Sequence, residues 1–220
     1  MNPQKQFKKI FLAVMISFAV LACGLENILP GEGDGSLGDG VIFEDDFSDP
    51  ESGWDRNIQG GIKDYYQGVY QIKVDTPNYY SWSVAHQSIG DSRISVKMAF
   101  LGEADVAEMG IICRFVDDGN FYYFSIRSDG YFMIFKRQNH NEYFLIMDDY
   151  QPSSAINQGI ASNFVEAECV GDRLSLFVNG QHLISVNDPS FPLGDVGLIV
   201  GAFDQPNVNV FFDNFKVVSP

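Results

Sequence analysis

The chain is poor in the residues that most catalysis and metal binding use. Its 220 residues hold three cysteines, three histidines and two tryptophans. His86, His140 and His182 are scattered, so no His-Glu-x-x-His zinc spacing exists, and Cys23, Cys113 and Cys169 form no Cys-x-x-Cys pair. There is no Gly-x-Ser-x-Gly nucleophile turn and no phosphate loop. Positive charge is also scarce: 14 Lys and Arg face 29 Asp and Glu, for a net charge of −15. Such a surface repels phosphate backbones, which excludes nucleic acid as a partner, and it repels anionic lipid headgroups. The apolar run from Ile10 to Ala22 is too short for the ~20 residues that a membrane-spanning helix needs. No window sustains a 3.6-residue apolar period, so a helical domain is excluded.

Aromatic residues are plentiful. Nineteen Phe and ten Tyr favour strands, and the 45% hydrophobic content is enough for a buried core. From residue 41 the chain reads as short strands punctuated by turns. Strands are predicted near 41–47, 68–74, 79–86, 92–101, 110–116, 121–126, 131–136, 141–147, 163–170, 174–178, 181–186, 196–203 and 208–218. Asn179-Gly180 is a strong two-residue hairpin signal, and Arg127 to Gly130 marks another turn. So many antiparallel strands in one chain must pair into a closed or two-layer arrangement to protect their edges. The expected fold is all-β: a two-sheet antiparallel β-sandwich of jelly-roll type.

The N-terminus has a different character. Lys5, Lys8 and Lys9 precede the apolar run, which ends at Val20-Leu21-Ala22-Cys23. This three-part pattern is that of an export signal over residues 1–22. Val-Leu-Ala-Cys resembles the lipobox of bacterial lipoproteins, which implies cleavage before Cys23 and lipidation of its thiol. An ordinary secretory peptide with an incidental cysteine is the alternative. The lipoprotein resemblance implies a protein anchored to the membrane through lipid, on the extracytoplasmic side of the cell envelope. Removing residues 1–22 would make the chain three charges more negative. Residues 23–40 are rich in Gly and Asp and read as the lipidated cysteine and a flexible tether. Their Gly-x-Gly-x-x-Gly match lacks the strand and helix that a dinucleotide fingerprint needs.

Further along, Asn163 to Leu183 carries a strand, a Gly171-Asp172 turn and the Asn179-Gly180 hairpin in an order that resembles the concanavalin A-like lectin/glucanase superfamily. Gly110 to Phe124, Gly194 to Leu198 and Phe212 to Val217 fit the same pattern. The resemblance covers residues 41–220 and implies the jelly-roll fold. It leaves function open, because its members include lectins, glycosidases and adhesion modules. Three readings follow. The first is a surface-tethered, lectin-like module that binds a glycan or another cell-surface ligand without catalysis. The second is a glycoside hydrolase, or an enzyme similar to the 3-keto-disaccharide hydrolase-like domains that Gly53-Trp54 resembles. The third is a structural or adhesive envelope protein with protein partners.

For binding, strand alternation suggests a face. Ile111, Cys113 and Phe115 are expected inward, leaving Arg114 opposite. Tyr122, Phe124 and Ile126 are expected inward, leaving Tyr123, Ser125 and Arg127 opposite. Trp82, Arg114, Tyr123, Arg127 and Lys136 are therefore expected to line one concave ligand-binding face, with Trp82 as the stacking platform. Ordinary packing of half-buried aromatics is the competing explanation. For catalysis, no set is favoured. Glu103, Asp105 and Glu108 resemble the Glu-x-Asp-x-x-Glu motif of laminarinase-type hydrolases, which implies nucleophile, tuning acid and acid/base in turn. A solvated loop between two strands is the alternative at these positions. No cofactor is expected beyond a possible structural Ca²⁺. First and last strands that pair would bring Glu44 and Asp46 near Asp213, and clustered carboxylates suit that ion. Cys113 and Cys169 are expected in strands, with two buried free thiols favoured over a disulfide.

Overall fold

A computed structural model describes residues 40–58, 61–147 and 149–220. The signal, the lipobox with Cys23 and nearly all of the tether lie outside the described residues. The chain divides into two units, residues 1–35 and 36–220, and the second carries the fold.

That fold is built from fifteen strands. They are β1 (Val41–Asp45), β2 (Gly61–Tyr66), β3 (Val69–Val74), β4 (Tyr79–Val84), β5 (Ser92–Phe100), β6 (Ala107–Asp117), β7 (Asn120–Arg127) and β8 (Tyr131–Gln138). After them come β9 (Asn141–Phe144), β10 (Gln151–Pro152), β11 (Ser162–Val170), β12 (Arg173–Val178), β13 (Gln181–Asn187), β14 (Asp195–Ala202) and β15 (Val208–Val218). Among the described residues there is no helix. Eight strands form one sheet in the order β13-β12-β11-β5-β15-β3-β2, with β1 added alongside β15. Seven form the other in the order β10-β8-β7-β6-β14-β4, with β9 added to β8.

Period-two alternation explains why the sheets stack. In β5, Ile94, Val96, Met98 and Phe100 are buried, whereas Arg93 and Lys97 are exposed. In β15, Val208, Val210 and Phe212 point inward by the same rule. These inner faces meet in one core with Ile111, Phe124, Ile134, Leu174 and Val200. The first and last strands pair as expected, with Glu44 opposite Lys216 and Asp45 opposite Phe215.

Cys113 of β6 and Cys169 of β11 form a disulfide, which corrects the expectation of two free thiols. They belong to different sheets, so no strand register in the sequence could have placed them together. Their Cα atoms lie 6.9 Å apart across the sandwich. The bridge joins the two layers across a sequence separation of 56 residues. Closing a loop of that size is worth about 4 kcal/mol in the chain-entropy treatment.

The seven-stranded sheet has a second apolar cluster on its outward face. Ile112, Phe121, Tyr123, Met133, Phe135 and Ile199 form it, and Tyr80, Trp82, Phe115, Ile146 and Tyr150 pack against it. Phe115 was expected inward. Arg114 adopts a positive φ of 52°, and pairing of β6 with β7 shifts register between Cys113 and Asp117. This bulge inserts a residue and reverses the alternation after Cys113, so Phe115 faces outward against Phe121 at 5.3 Å.

Candidate functional site

The outward face of the seven-stranded sheet gathers three of the five residues expected there. Tyr123 and Arg127 alternate outward along β7, opposite Tyr122 and Phe124 in the core. Trp82 reaches the same face from β4 and packs on Phe121 at 5.7 Å. Tyr123 presents no free ring, because it is fully buried and Phe135 stacks on it at 4.5 Å.

Arg114 and Lys136 lie elsewhere. The Arg114 guanidinium is buried at the end of the sandwich, where it donates to the carbonyls of Gly171 and Phe191 and to Asp91. It ties loops together and does not face the cluster around Trp82. Lys136 stands opposite Tyr122 in the β7–β8 pairing, and directly paired residues share a face. It therefore points inward, where it donates to Asp188 at 2.6 Å and to Ser190 at 3.1 Å. Burial raises the Asp188 carboxyl, but hydrogen bonds from Lys136, Ser190 and Tyr122 outweigh it and hold Asp188 down at about 2. Burial and the Asp188 partner push the Tyr122 hydroxyl up to about 12.

At the β4 edge of the seven-stranded sheet, beside Lys63 of β2 in the other sheet, lies an open cleft of about 230 Å³. Asp55, Lys63, Tyr79, Tyr80, Trp82 and Asp118 line it. Trp82 Nε1 donates to Asp118 Oδ1 at 3.3 Å, and the Arg137 guanidinium lies 5.6 Å from the indole ring centre. Lys63 Nζ donates to the Trp82 carbonyl at 3.0 Å and sits 3.7 Å from Asp55. Two carboxylates and an ammonium thus converge on one open, largely polar space beside the β4 edge. Trp82 was named from the sequence, whereas Tyr80, two residues earlier on the same strand, was not. Nor was Lys63, since no strand was expected at 61–66.

Next to the cleft lies a buried acid. Glu108, in β6, is 1% exposed. Its Oε2 accepts from Tyr80 and Tyr150, each at 2.8 Å. Its Oε1, with the nearby hydroxyls of Tyr123 and Ser125, has no hydrogen-bond partner among the described residues. Burial raises the Glu108 carboxyl above its ordinary value, against the opposing influence of Ser125, Tyr80 and Tyr150. Burial and the neighbouring Glu108 raise the hydroxyls of Tyr80, Tyr123 and Tyr150 in turn.

The three acids of the Glu-x-Asp-x-x-Glu pattern, from which no catalytic set was favoured, lie in different surroundings. Glu103 and Asp105 are exposed in the loop before β6, and Asp105 exchanges hydrogen bonds with Gln205. Glu108 is enclosed in the strand, because β6 begins at Ala107 and not near Gly110. Of the acids considered for calcium, Glu44 and Asp46 line one cleft with Asp45, and Asp213 is not part of that lining. Glu44 pairs with Lys216 at 3.3 Å, Asp46 accepts from the Ser48 amide, and Asp213 stands opposite Lys97. Among the described residues, no group of three or more His, Cys, Asp or Glu is arranged to hold a metal ion. Trp54, of the Gly53-Trp54 pair, is a core residue whose indole donates to Asp45 at 2.9 Å.

The sequence matches no protein-family profile and no curated protein. Solved structures do resemble it. The carbohydrate binding module CBM66 from Bacillus subtilis superposes with a TM-score of 0.58 at 17% identity, covering 76% of this chain and 91% of that one. A GH43 protein from Bacillus licheniformis gives 0.60 at 14% identity, over 80% of this chain but only 39% of its own. The β-glucanase of Bacillus licheniformis gives 0.57 at 10% identity, over 84% of this chain and 100% of its own. At such identities the likeness is one of fold, and the domain described here is a concanavalin A-like jelly roll.

Proposed function

We propose that this domain binds glycan without catalysis, on the outward face of the seven-stranded sheet, and that lipid on Cys23 holds it outside the cytoplasm. The observation that carries the binding reading is the open, largely polar cleft at the β4 edge, where Asp55, Lys63 and Asp118 stand beside the half-buried Trp82. Sugars are recognised by such a combination: an apolar ring face stacks, and placed polar groups bond the hydroxyls. Fold neighbours that include a carbohydrate binding module and glycoside hydrolases agree with a glycan ligand. Binding is favoured over hydrolysis because retaining chemistry needs two carboxyls about 5–5.5 Å apart on a substrate. Here Glu108 is enclosed and clasped by two tyrosines, while Glu103 and Asp105 stand on an exposed loop.

The anchored, extracytoplasmic location is supported by the lipobox-like Val20 to Cys23 and by the disulfide, which persists in oxidising compartments. Labelling of the protein with palmitate, lost in Cys23→Ser, tests the anchor. An immobilised panel of neutral, amino-bearing and acidic oligosaccharides tests the ligand. Binding to one class is expected, with Trp82→Ala lowering affinity at least tenfold, about 1.4 kcal/mol. Phe177→Ala, on the opposite sheet, leaves affinity unchanged. A blank panel overturns the reading. Release of reducing ends from laminarin, lost in Glu103→Gln, overturns its non-catalytic part.

A further inference from the structure

We propose that Asn179 is a modification site, where deamidation releases the segment 153–161 from the end of the sandwich and keeps it released. The inference is independent of the glycan reading. Asn179-Gly180 is the one Asn-Gly pair in the chain. It forms the two-residue turn between β12 and β13, with Val178 paired to Gln181 and positive φ at both positions, 49° and 79°. Both turn residues are exposed, and nothing lies within 4 Å of where a Gly180 Cβ would stand, so the turn is open to water.

The Asn179 side chain, by contrast, is fully engaged. Its Nδ2 donates to the Ala155 carbonyl at 2.7 Å and to Asn163 Oδ1 at 2.8 Å, and its Oδ1 accepts from the Phe164 amide at 2.9 Å. Asn163 is buried and exchanges two further bonds with the Asn157 backbone, at 2.8 and 3.0 Å. This amide clasp pins the segment between β10 and β11 to the β12–β13 turn. The pinned segment places Ala155 and Ile156 in the core, and its Gly159 amide donates to the Ser128 carbonyl at 2.7 Å.

Deamidation needs the same side chain to leave the clasp. The Gly180 nitrogen attacks Asn179 Cγ, a C–N bond forms, and the Cγ–Nδ2 bond breaks. The Gly180 amide proton passes to solvent, Nδ2 takes up a proton and leaves as ammonia, and a cyclic imide remains. Water opens that ring to aspartate or isoaspartate. Turning Cγ towards Gly180 sacrifices three hydrogen bonds, so the closed form is protected and the reaction runs through local opening. The product does not restore the clasp. An aspartate carboxylate has no hydrogen to give to the Ala155 carbonyl or to Asn163 Oδ1, and it would face both oxygens. Rotating the Asn163 amide to offer its Nδ2 would break both bonds to Asn157. Closure after conversion thus leaves polar atoms unpaired, and an opening that was transient becomes lasting.

The test uses the full chain, folded and in urea, at mildly alkaline pH. Peptide mapping by mass spectrometry reads aspartate and isoaspartate at position 179. Conversion in the folded chain is expected to be slower than in the unfolded chain by about tenfold or more. Asn163→Ala, which removes one arm of the clasp, is expected to recover most of that difference under conditions where circular dichroism shows it folded. Asn179→Asp installs the product, and limited proteolysis within 153–161 is expected to run about tenfold faster than in the wild type. If Asn179→Asp does not fold, converted wild-type protein, separated by charge after ageing, is digested in its place. Equal conversion rates in the folded and unfolded chains, or a wild-type rate in folded Asn163→Ala, overturn the protection by the clasp. Unchanged proteolysis of 153–161 in the aspartate form overturns the release.

Discussion

Asp45 and Glu108 are both buried among aromatic rings, and they are treated differently. Asp45 accepts from the Phe47 amide, the Ser52 hydroxyl and the Trp54 indole, so both its oxygens are used. Around it, Phe47, Trp54, Tyr70 and Phe215 pack ring against ring. Glu108 has two donors on one oxygen and none on the other. The first arrangement is what folding alone favours: a polar group with its capacity filled locks a corner of the core. The second leaves capacity unused at a place that borders an open cleft.

That contrast can be broken or sharpened by experiment. The largest effect should be common to both regions. Reduction of the Cys113–Cys169 bridge, or its replacement by serines, is expected to lower unfolding free energy by about 4 kcal/mol. Urea titration with and without reductant checks this. Asp45→Ala comes next, because it strands two buried donors, the Phe47 amide and the Trp54 indole, at once. It is expected to cost about 3 kcal/mol or more, seen as a lower urea midpoint. Glu108→Gln should behave in the opposite way and be neutral or stabilising by about 1 kcal/mol at neutral pH, since it removes a buried acid that gains little from ionising.

The pH dependence should separate the acids further. Burial raises the folded-state value of Glu108 above its unfolded one. Its contribution is thus fully present below about pH 4.5 and is lost as pH rises through the raised value. Asp188 is lowered to about 2, so its contribution is present above about pH 3.8 and is lost as pH falls toward 2. Melting temperature measured from pH 2 to 8 should therefore fall at the acid end, and Glu108→Gln should flatten only the decline toward higher pH. The smallest effect is expected from Tyr150→Phe, which removes one of two donors from Glu108 and should cost about 1 kcal/mol.

The strand pattern was visible in the sequence wherever alternation was clean. β5, β7, β8, β12 and β15 fall close to where they were expected, and the Asn179-Gly180 hairpin does too. β2 was missed because Gly61 to Tyr66 mixes Lys63 and Asp64 with apolar residues on a sheet edge, where no face is fully buried. The site was legible one strand at a time and failed between strands. Alternation placed Tyr123 and Arg127 on the outward face, but the bulge at Arg114 is invisible to a counting rule. Lys136 went to the wrong side because its partner across the hairpin was not worked out. Opposite Tyr122, it had to share the inward face. Glu108 was noticed for a catalytic pattern. That it would be enclosed beneath Tyr80 and Tyr150 depends on contacts from distant segments, which no local rule supplies.

The two ends of the sandwich meet. The Ser219 amide donates to the Gly40 carbonyl at 2.7 Å, just outside the pairing of β1 with β15. A domain closed on itself in this way can be inserted into a loop of another protein, or have its ends joined and new ones cut elsewhere, with little rearrangement. The Trp82 cleft, framed by β4 of one sheet and Lys63 of β2 in the other, would travel with it as a self-contained cassette.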